Sequence, residues 1–225
     1  MNREGSEESD NAKSTSCVPS KIILLAGGSA SGKTTIAQQL AKSLILKYIS
    51  AQCISMDNFY RSLGPEENGE TFNWDDPSAY DVEKLKGCIE AWIKGLPCWI
   101  PHHDFSRYKS VENSKFIQPS QVMIIEGIHA LSIEKLLPYA NLKIYIHCDH
   151  DEALARRIMR DLKERGYTLE IVLMRYFKCV KPALKNIIEP SQKNADFIIN
   201  NHNGSLEGGK AIDLISDALS NKDIL

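Results

Sequence analysis

Between a short apolar run and a helical period, the chain carries Gly27-Gly28-Ser29-Ala30-Ser31-Gly32-Lys33-Thr34, which fits G-x-x-x-x-G-K-[ST] at every defined position. No other feature narrows the possible folds as far. The glycines let backbone N–H groups turn inward around phosphate oxygens, and the helix that follows offers the positive end of its dipole to the same anions. The segment extends to Thr35, after which Ile36, Leu40 and Leu44, with Ala37 and Ala41, recur at helical spacing. Before it, residues 21–27 read KIILLAG, the look of a strand buried on both faces of a parallel sheet. Strand, glycine loop and helix in this order predict a nucleoside triphosphate site. Lys33 would reach the β/γ-phosphates and the Thr34 hydroxyl would ligate Mg²⁺.

Further apolar runs recur at 51–56, 121–125, 142–147 and 197–199. Helical patterns separate most of them. Ser78 with Asp81 reads as a capping pair ahead of Val82, Leu85, Ile89 and Trp92, with Gly95 as a stop. Leu154, Ile158 and Leu162 mark a second helix, Leu169, Leu173, Tyr176 and Val180 a third, and Ile212, Ile215 and Leu219 the last. The alternation predicts an α/β fold, a parallel sheet flanked by helices with right-handed crossovers. Two stretches break it: a polar, turn-rich segment at 64–76, and a β-hairpin excursion at about 98–118 carrying His102, His103, Asp104, Phe105 and Tyr108. Residues 1–20 read as a disordered polar tail before a single domain at 21–225. Met56, Met123, Met159 and Met174 fall at apolar-period positions and are expected in the core.

Charge and cysteine content exclude several classes. With 27 basic against 29 acidic side chains and a net charge of −2, no global field recruits nucleic acid. The longest uncharged run, residues 22–32, is too short to span a bilayer, and the acidic opening MNREGSEESD lacks the apolar core of a secretory signal. Six scattered cysteines (Cys17, Cys53, Cys88, Cys98, Cys148, Cys179) suit free thiols in a reducing, cytoplasmic compartment. His147-Cys148-Asp149-His150 lacks a second ligand cluster and reads as a strand end rather than a metal site.

A phosphate loop leaves the fate of the γ-phosphate open. Asn221-Lys222-Asp223 lacks the spacing of the guanine-reading N-K-x-D motif. Kinase chemistry needs an acceptor pocket and a carboxylate beside the incoming hydroxyl. Asp57 directly follows the second strand, and Glu126 ends the strand at 122–125, where ligand-facing residues of parallel sheets sit. Arg156, Arg157, Arg160, Lys163 and Arg165 crowd one helical segment, at about 151–168. Such a run is ordinarily a solvated face, here paired with Asp161 and Glu164. Beside a phosphate loop it reads as a lid that closes over the phosphates and neutralises transition-state charge.

Together these motifs resemble the uridine–cytidine kinase family: GGSASGKTT (27–35), SMDNFY (55–60), FNWDDPSAYD (72–81), IPHHDF (100–105), IIEGIHA (124–130), ARRIMRDLKERG (155–166), YFKCVKPA (176–183) and EPSQKNADFII (189–199). The resemblance implies an ATP- and Mg²⁺-dependent kinase acting on the 5′-hydroxyl of a pyrimidine ribonucleoside, uridine or cytidine. It makes Asp57 the catalytic base, lines the nucleoside pocket with Tyr60, Trp74 and Phe105, and sets Asp75, assisted by Arg157, on the ribose hydroxyls. Thr34 and Glu126 would serve the metal, and Arg160 and Arg165 the phosphates. It also implies a homo-oligomer, commonly a tetramer.

Four positions depart from the family, all where it reads its substrate. His103 stands for Tyr, Tyr108 for His, Tyr167 for Arg and Arg175 for Gln. The first pair reads as an exchange of two groups between two hairpin positions, and Arg175 as a replacement for the charge missing at Tyr167; the alternative is local divergence without compensation. Both His and Tyr can donate or accept, so base preference stays open. Two rivals remain: another acceptor (nicotinamide riboside, ribulose phosphate or pantothenate), and a nucleotide-binding regulator without turnover.

Overall fold

Residues 20–105, 107–202 and 207–220 are described by the structure, a computed structural model; the segment read as a tail lies outside them apart from Ser20, as does Asn221-Lys222-Asp223. In chain order, β1 (Lys21–Gly27) leads through the glycine loop into α1 (Lys33–Leu46), then β2 (Ala51–Ser55) and α2 (Val82–Ile93). An antiparallel pair follows, β3 (Cys98–Asp104) and β4 (Lys109–Ile117), then β5 (Val122–Glu126), β6 (Leu142–His147) and α3 (His150–Glu164). The chain continues with α4 (Leu169–Arg175), α5 (Lys181–Ala183), β7 (Phe197–Asn200) and α6 (Glu207–Ser220).

Five strands form one parallel sheet in the order β2-β5-β1-β6-β7. β1 is central, and Ile22 through Ala26 are buried on both faces, as the unalternating apolar run requires. Ile22 and Leu24 face a layer holding Met56, Phe59, Leu85, Ile89 and Trp92. Ile23 and Leu25 face Ile36, Leu40 and Leu44 of α1 with Ile212, Ile215 and Leu219 of α6. Each such side chain contributes about 1.5–3 kcal/mol by leaving water. The register aligns Ser55 with Glu126, Gly27 with Ile146 and His147 with Asn200, so the carboxyl ends of all five strands share one edge. Because the chain leaves β1 for β2 on one side and leaves β5 for β6 on the other, the crevice above that edge is a topological switch point, where open α/β sheets bind ligands.

The structure departs from the sequence reading in four places. α2 is capped by Asp81, which accepts from the Lys84 N–H at 3.0 Å; Ser78 lies in a separate 3₁₀ turn (Pro77–Ala79) capped by Asp76. In α3 the buried residues are Arg157 and Asp161, while Met159 is 73% exposed and Leu162 is also exposed. That helix turns its inner face to the polar cleft instead of an apolar core, which inverts the usual pattern. Met56 and Met123 are buried as expected, but Met174 is exposed, because α4 rests on the core mainly through Val172. Cys88 of α2 and Cys98 of β3, expected as free thiols, form a disulfide across ten residues, their Cα atoms 5.6 Å apart. Cys53, Cys148 and Cys179 are free.

Beyond α4 the chain stays helical, with π-turns at Tyr176–Val180 and Leu184–Ile188 on either side of α5. Pro182, with no N–H to give, interrupts the i→i−4 ladder between them. No helix among the described residues is long and apolar enough to cross a membrane.

Candidate active site

The glycine loop is pinned from several directions. A Cβ on Gly27 would stand 2.6 Å from the Ile146 carbonyl, so β6 forbids any side chain there. Gly32 adopts φ +88 at the N-cap of α1, and a Cβ there would overlap the Asn201 amide. That amide donates to the Ser31 carbonyl at 2.7 Å, tying the loop to the chain after β7. No side chain caps α1 and no acidic residue occupies its first turn, which leaves its N–H groups and dipole for an anion. Ala30, Thr35, Arg156 and Arg160 line the outer mouth of this region. Lys33 reaches back to donate to the Gly28 carbonyl at 3.3 Å, and burial pulls its ammonium below its ordinary value against the pull of Glu126 and Asp57.

Three carboxylates share a cleft with Lys33, Ser29 and Thr34. Asp57 sits on a 3₁₀ turn (Met56–Phe59) straight after β2, its N–H donated to Ser55 Oγ at 3.3 Å. Glu126 ends β5 and is 3% exposed; burial raises it above the ordinary carboxylate range, opposed by Lys33 and by hydrogen bonds from Ser55 and Thr34. Asp75 lies in the polar loop, where Asn73 Oδ1 accepts its N–H at 3.2 Å. Burial raises its pKa too, with Arg157 pulling the other way. Glu126 and the Thr34 hydroxyl supply hard oxygen donors, and a buried carboxylate not fully compensated by Lys33 suits a divalent cation.

Aromatic rings wall the other end of the cleft. Trp74 is held by its indole N–H, which donates to the Gly69 carbonyl at 2.9 Å, and Tyr108 stacks on it at 5.9 Å between ring centres. Tyr108 takes φ +51 between β3 and β4, a left-handed conformation that bulky residues rarely adopt. Its ring lies against bare Gly69, where any Cβ would collide with it. Tyr60 accepts a 2.8 Å hydrogen bond from Tyr80, and burial lifts both phenols well above their ordinary value. Arg175 stacks over Tyr167 at 4.6 Å and donates to the Glu70 carbonyl and to Tyr108 Oη at 3.3 and 3.4 Å. His103 does not line the cleft. It is 1% exposed, behind the rings of Tyr60, Trp74 and Phe105.

The arginines are organised by one residue. Asp161, 1% exposed, lies 3.4 Å from Arg157, 2.9 Å from Arg160 and 3.5 Å from Arg165, and all three cations line the cleft. Arg157 also donates to Ser29 Oγ at 2.6 Å, joining α3 to the glycine loop. The guanidinium of Arg165 lies 5.5 Å over Phe105. Thus Asp57, Tyr60, Trp74, Asp75, Phe105, Tyr108, Glu126, Tyr167 and Arg175 gather with Lys33, Thr34 and the three arginines around one cleft. Sequence reasoning gave no part in this arrangement to Asn201, His129 or Cys179, and saw Asp161 only as a surface partner. Elsewhere, His150 turns to Glu189 while His147 and His202 flank Asp149, and among the described residues no three ligating side chains converge as for a metal.

A parallel sheet of this order, with the glycine loop, the carboxylates and the arginine helix on one edge, defines a P-loop kinase. Within that class, a sequence model of the phosphoribulokinase / uridine kinase family matches residues 22–205, and the chain belongs to that family. It is 38% identical over 184 residues to the uridine kinase of Halobacterium salinarum, covering 81% of this chain and 80% of that protein. The uridine-cytidine kinase B of Dictyostelium discoideum is 36% identical over 203 residues, 89% of this chain and 82% of that one. Uridine kinase-like protein 5 of Arabidopsis thaliana is 39% identical over 180 residues, 79% of this chain but only 38% of the longer plant protein. Among solved structures, a Silicibacter protein described as a fructose transport system kinase superposes with a TM-score of 0.70 at 22% identity, covering 80% of this chain and 89% of that one. D-glycerate 3-kinase of Cryptococcus neoformans gives 0.56 at 16%, over 81% and 86%. These two likenesses concern the fold alone.

Proposed function

We propose that the protein transfers the γ-phosphoryl group of ATP to the 5′-hydroxyl of uridine or cytidine, yielding the nucleoside monophosphate, a step of pyrimidine salvage. One observation carries this reading: a single cleft is lined by Lys33, Thr34 and Glu126 together with Asp57, Asp75 and the rings of Trp74, Phe105 and Tyr108. A flat heterocycle suits the aromatic wall, and a carboxylate with several acceptor sites suits paired ribose hydroxyls. Asp57 orients the incoming 5′-hydroxyl and takes its proton. Lys33, Arg160 and Arg165 neutralise the charge that spreads over the equatorial oxygens of the transferred group. Arg157, joined to Ser29 and facing Asp75, spans the donor and acceptor ends. Thr34 and Glu126 would hold Mg²⁺, which supplies neutralisation of the donor phosphates when bound. His103 stands one ring behind the wall, while Tyr108, Tyr167 and Arg175 line the cleft itself. The proposal extends to a cytoplasmic homotetramer, as the family resemblance implies.

The test is ADP release with uridine, cytidine, nicotinamide riboside, ribulose phosphate and pantothenate as acceptors. Uridine or cytidine should give the highest kcat/KM, and Asp57→Asn should lower kcat by about 10²-fold or more while ATP still binds. ADP release that ignores every nucleoside, or full turnover by the variant, would overturn the reading.

A further inference from the structure

His129 lies three residues past Glu126, is 0% exposed and does not itself line the cleft, yet its ring is fully committed to hydrogen bonds. Nε2 is 2.8 Å from the backbone carbonyl of Asp75, and Nδ1 is 2.7 Å from Ser132 Oγ. A carbonyl only accepts, so the proton sits on Nε2. In the neutral ring Nδ1 then accepts from the serine hydroxyl, which also lies 3.4 Å from the His129 carbonyl. Burial also holds the ring below its ordinary value.

The two ends of this contact differ in rigidity. His129 rides on a turn welded to the sheet: Gly127 donates to the Leu25 carbonyl of β1 at 3.1 Å, and a Cβ on Gly127 would stand 2.7 Å from Met56 Cβ. The Ser132 N–H returns to the His129 carbonyl at 3.2 Å, and Tyr80 meets the imidazole edge-on at 5.8 Å. Asp75, by contrast, belongs to the polar loop, whose own backbone bonds run between neighbours such as Phe72 to Asn68 and Asp76 to Asn73. The His129 contact bridges 54 residues and ties that loop to the sheet beside Glu126.

We infer that His129 is a positioning residue: its Nε2–H bond to the Asp75 carbonyl fixes the Asp75 carboxylate in the cleft and thereby sets the preference for ribonucleosides over 2′-deoxyribonucleosides. This inference rests on the acceptor assignment above. A carboxylate recognises a hydroxyl pair only if held within roughly 0.5 Å of its place, and a site built for a hydroxyl rejects the analogue that lacks it. A loosened Asp75 therefore loses more of the ribonucleoside's binding, because the deoxy analogue offers it one hydroxyl where the ribonucleoside offers two.

Steady-state kinetics with uridine, cytidine, their 2′-deoxy analogues and ATP on the wild type and three variants test this. His129→Gln keeps a donor that reaches the Asp75 carbonyl. His129→Asn reaches only toward Ser132, and His129→Phe keeps the volume without a donor. The Asn and Phe variants should raise the ribonucleoside KM about tenfold, with kcat and the ATP KM within about twofold, and lower the ribo/deoxy ratio of kcat/KM about tenfold. His129→Gln should stay within about threefold of wild type. Equal losses for ribo and deoxy acceptors, parallel loss of ATP affinity, or a Phe variant matching Gln would overturn the inference. If the Phe variant does not fold by circular dichroism, the Asn–Gln comparison decides. A wild type inactive on every nucleoside sinks the acceptor assignment, whereas an active wild type whose ribo/deoxy ratio is indifferent to residue 129 sinks only this inference.

Discussion

Asp75 shows what the site costs the fold. Its carboxylate is enclosed beside Asp57, and Arg157 offsets only part of the penalty of burying the charge. Its folded-state pKa lies above the ordinary value, so folding favours the protonated form. The penalty is fully present above the raised value and fades as pH falls through it toward the unfolded value, about 4. Asp75→Asn, which removes the charge and keeps the shape, should therefore raise Tm at pH 7 while nucleoside turnover collapses. The gain should be about 2–4 °C for each kcal/mol relieved, and the gap from wild type should close toward pH 4. Thermal melts across that range check it; a lower Tm at pH 7 would show that Asp75 is stabilised by its surroundings. Arg157 keeps Asp161 as a partner in the variant, so no cation is stranded.

α3 is an element whose polar face is its structural face. Apolar spacing at Leu154, Ile158 and Leu162 correctly predicts a helix but not its orientation, since Arg157 and Asp161 are what it buries. Three guanidinium groups converging on one carboxylate would repel one another without it. Asp161→Asn removes the common counter-charge, and losing one partner of a buried ion cluster costs about 3 kcal/mol or more. Urea unfolding should report that loss, together with reduced use of both ATP and nucleoside, because Arg157 reaches Ser29 while Arg160 and Arg165 line the shared cleft. Unchanged stability would mean that solvent already screens the three cations. The Cys88–Cys98 bond is likewise an element-scale fact. Spacing of ten residues says nothing until α2 and β3 turn back on each other and bring the two Cα atoms to 5.6 Å.

At the scale of the whole molecule, one sheet edge holds both halves of the reaction, so binding at one end reports on the integrity of the other. Mg²⁺-ATP at about 100 times its Kd should stabilise the fold by about 2.7 kcal/mol. That corresponds to a rise in Tm of about 5–10 °C for a chain of this size. Asp57→Asn should keep the rise, because the proposed mechanism assigns Asp57 to the acceptor, and Lys33→Met should abolish it. Loss of the shift in both would mean that the two ends of the cleft are not separable. The β3–β4 excursion belongs to this scale too: it leaves the sheet, and its residues Phe105 and Tyr108 return to wall the cleft.

The local signals were legible because their physics is local. A glycine loop between a buried strand and a helix, and carboxylates at the ends of parallel strands, announce themselves within a few residues, and the register then brings them together. Sequence alone thus determined the parallel sheet, the phosphate-binding edge and the carboxylates at its strand ends, whereas the aromatic wall and Asp75 came from the resemblance to the family. Only the tertiary structure decided which face α3 buries, that His103 stands behind the aromatic wall, and that His129 braces Asp75 from 54 residues away. Each of these depends on what the rest of the chain packs against that spot, which no spacing along one element encodes.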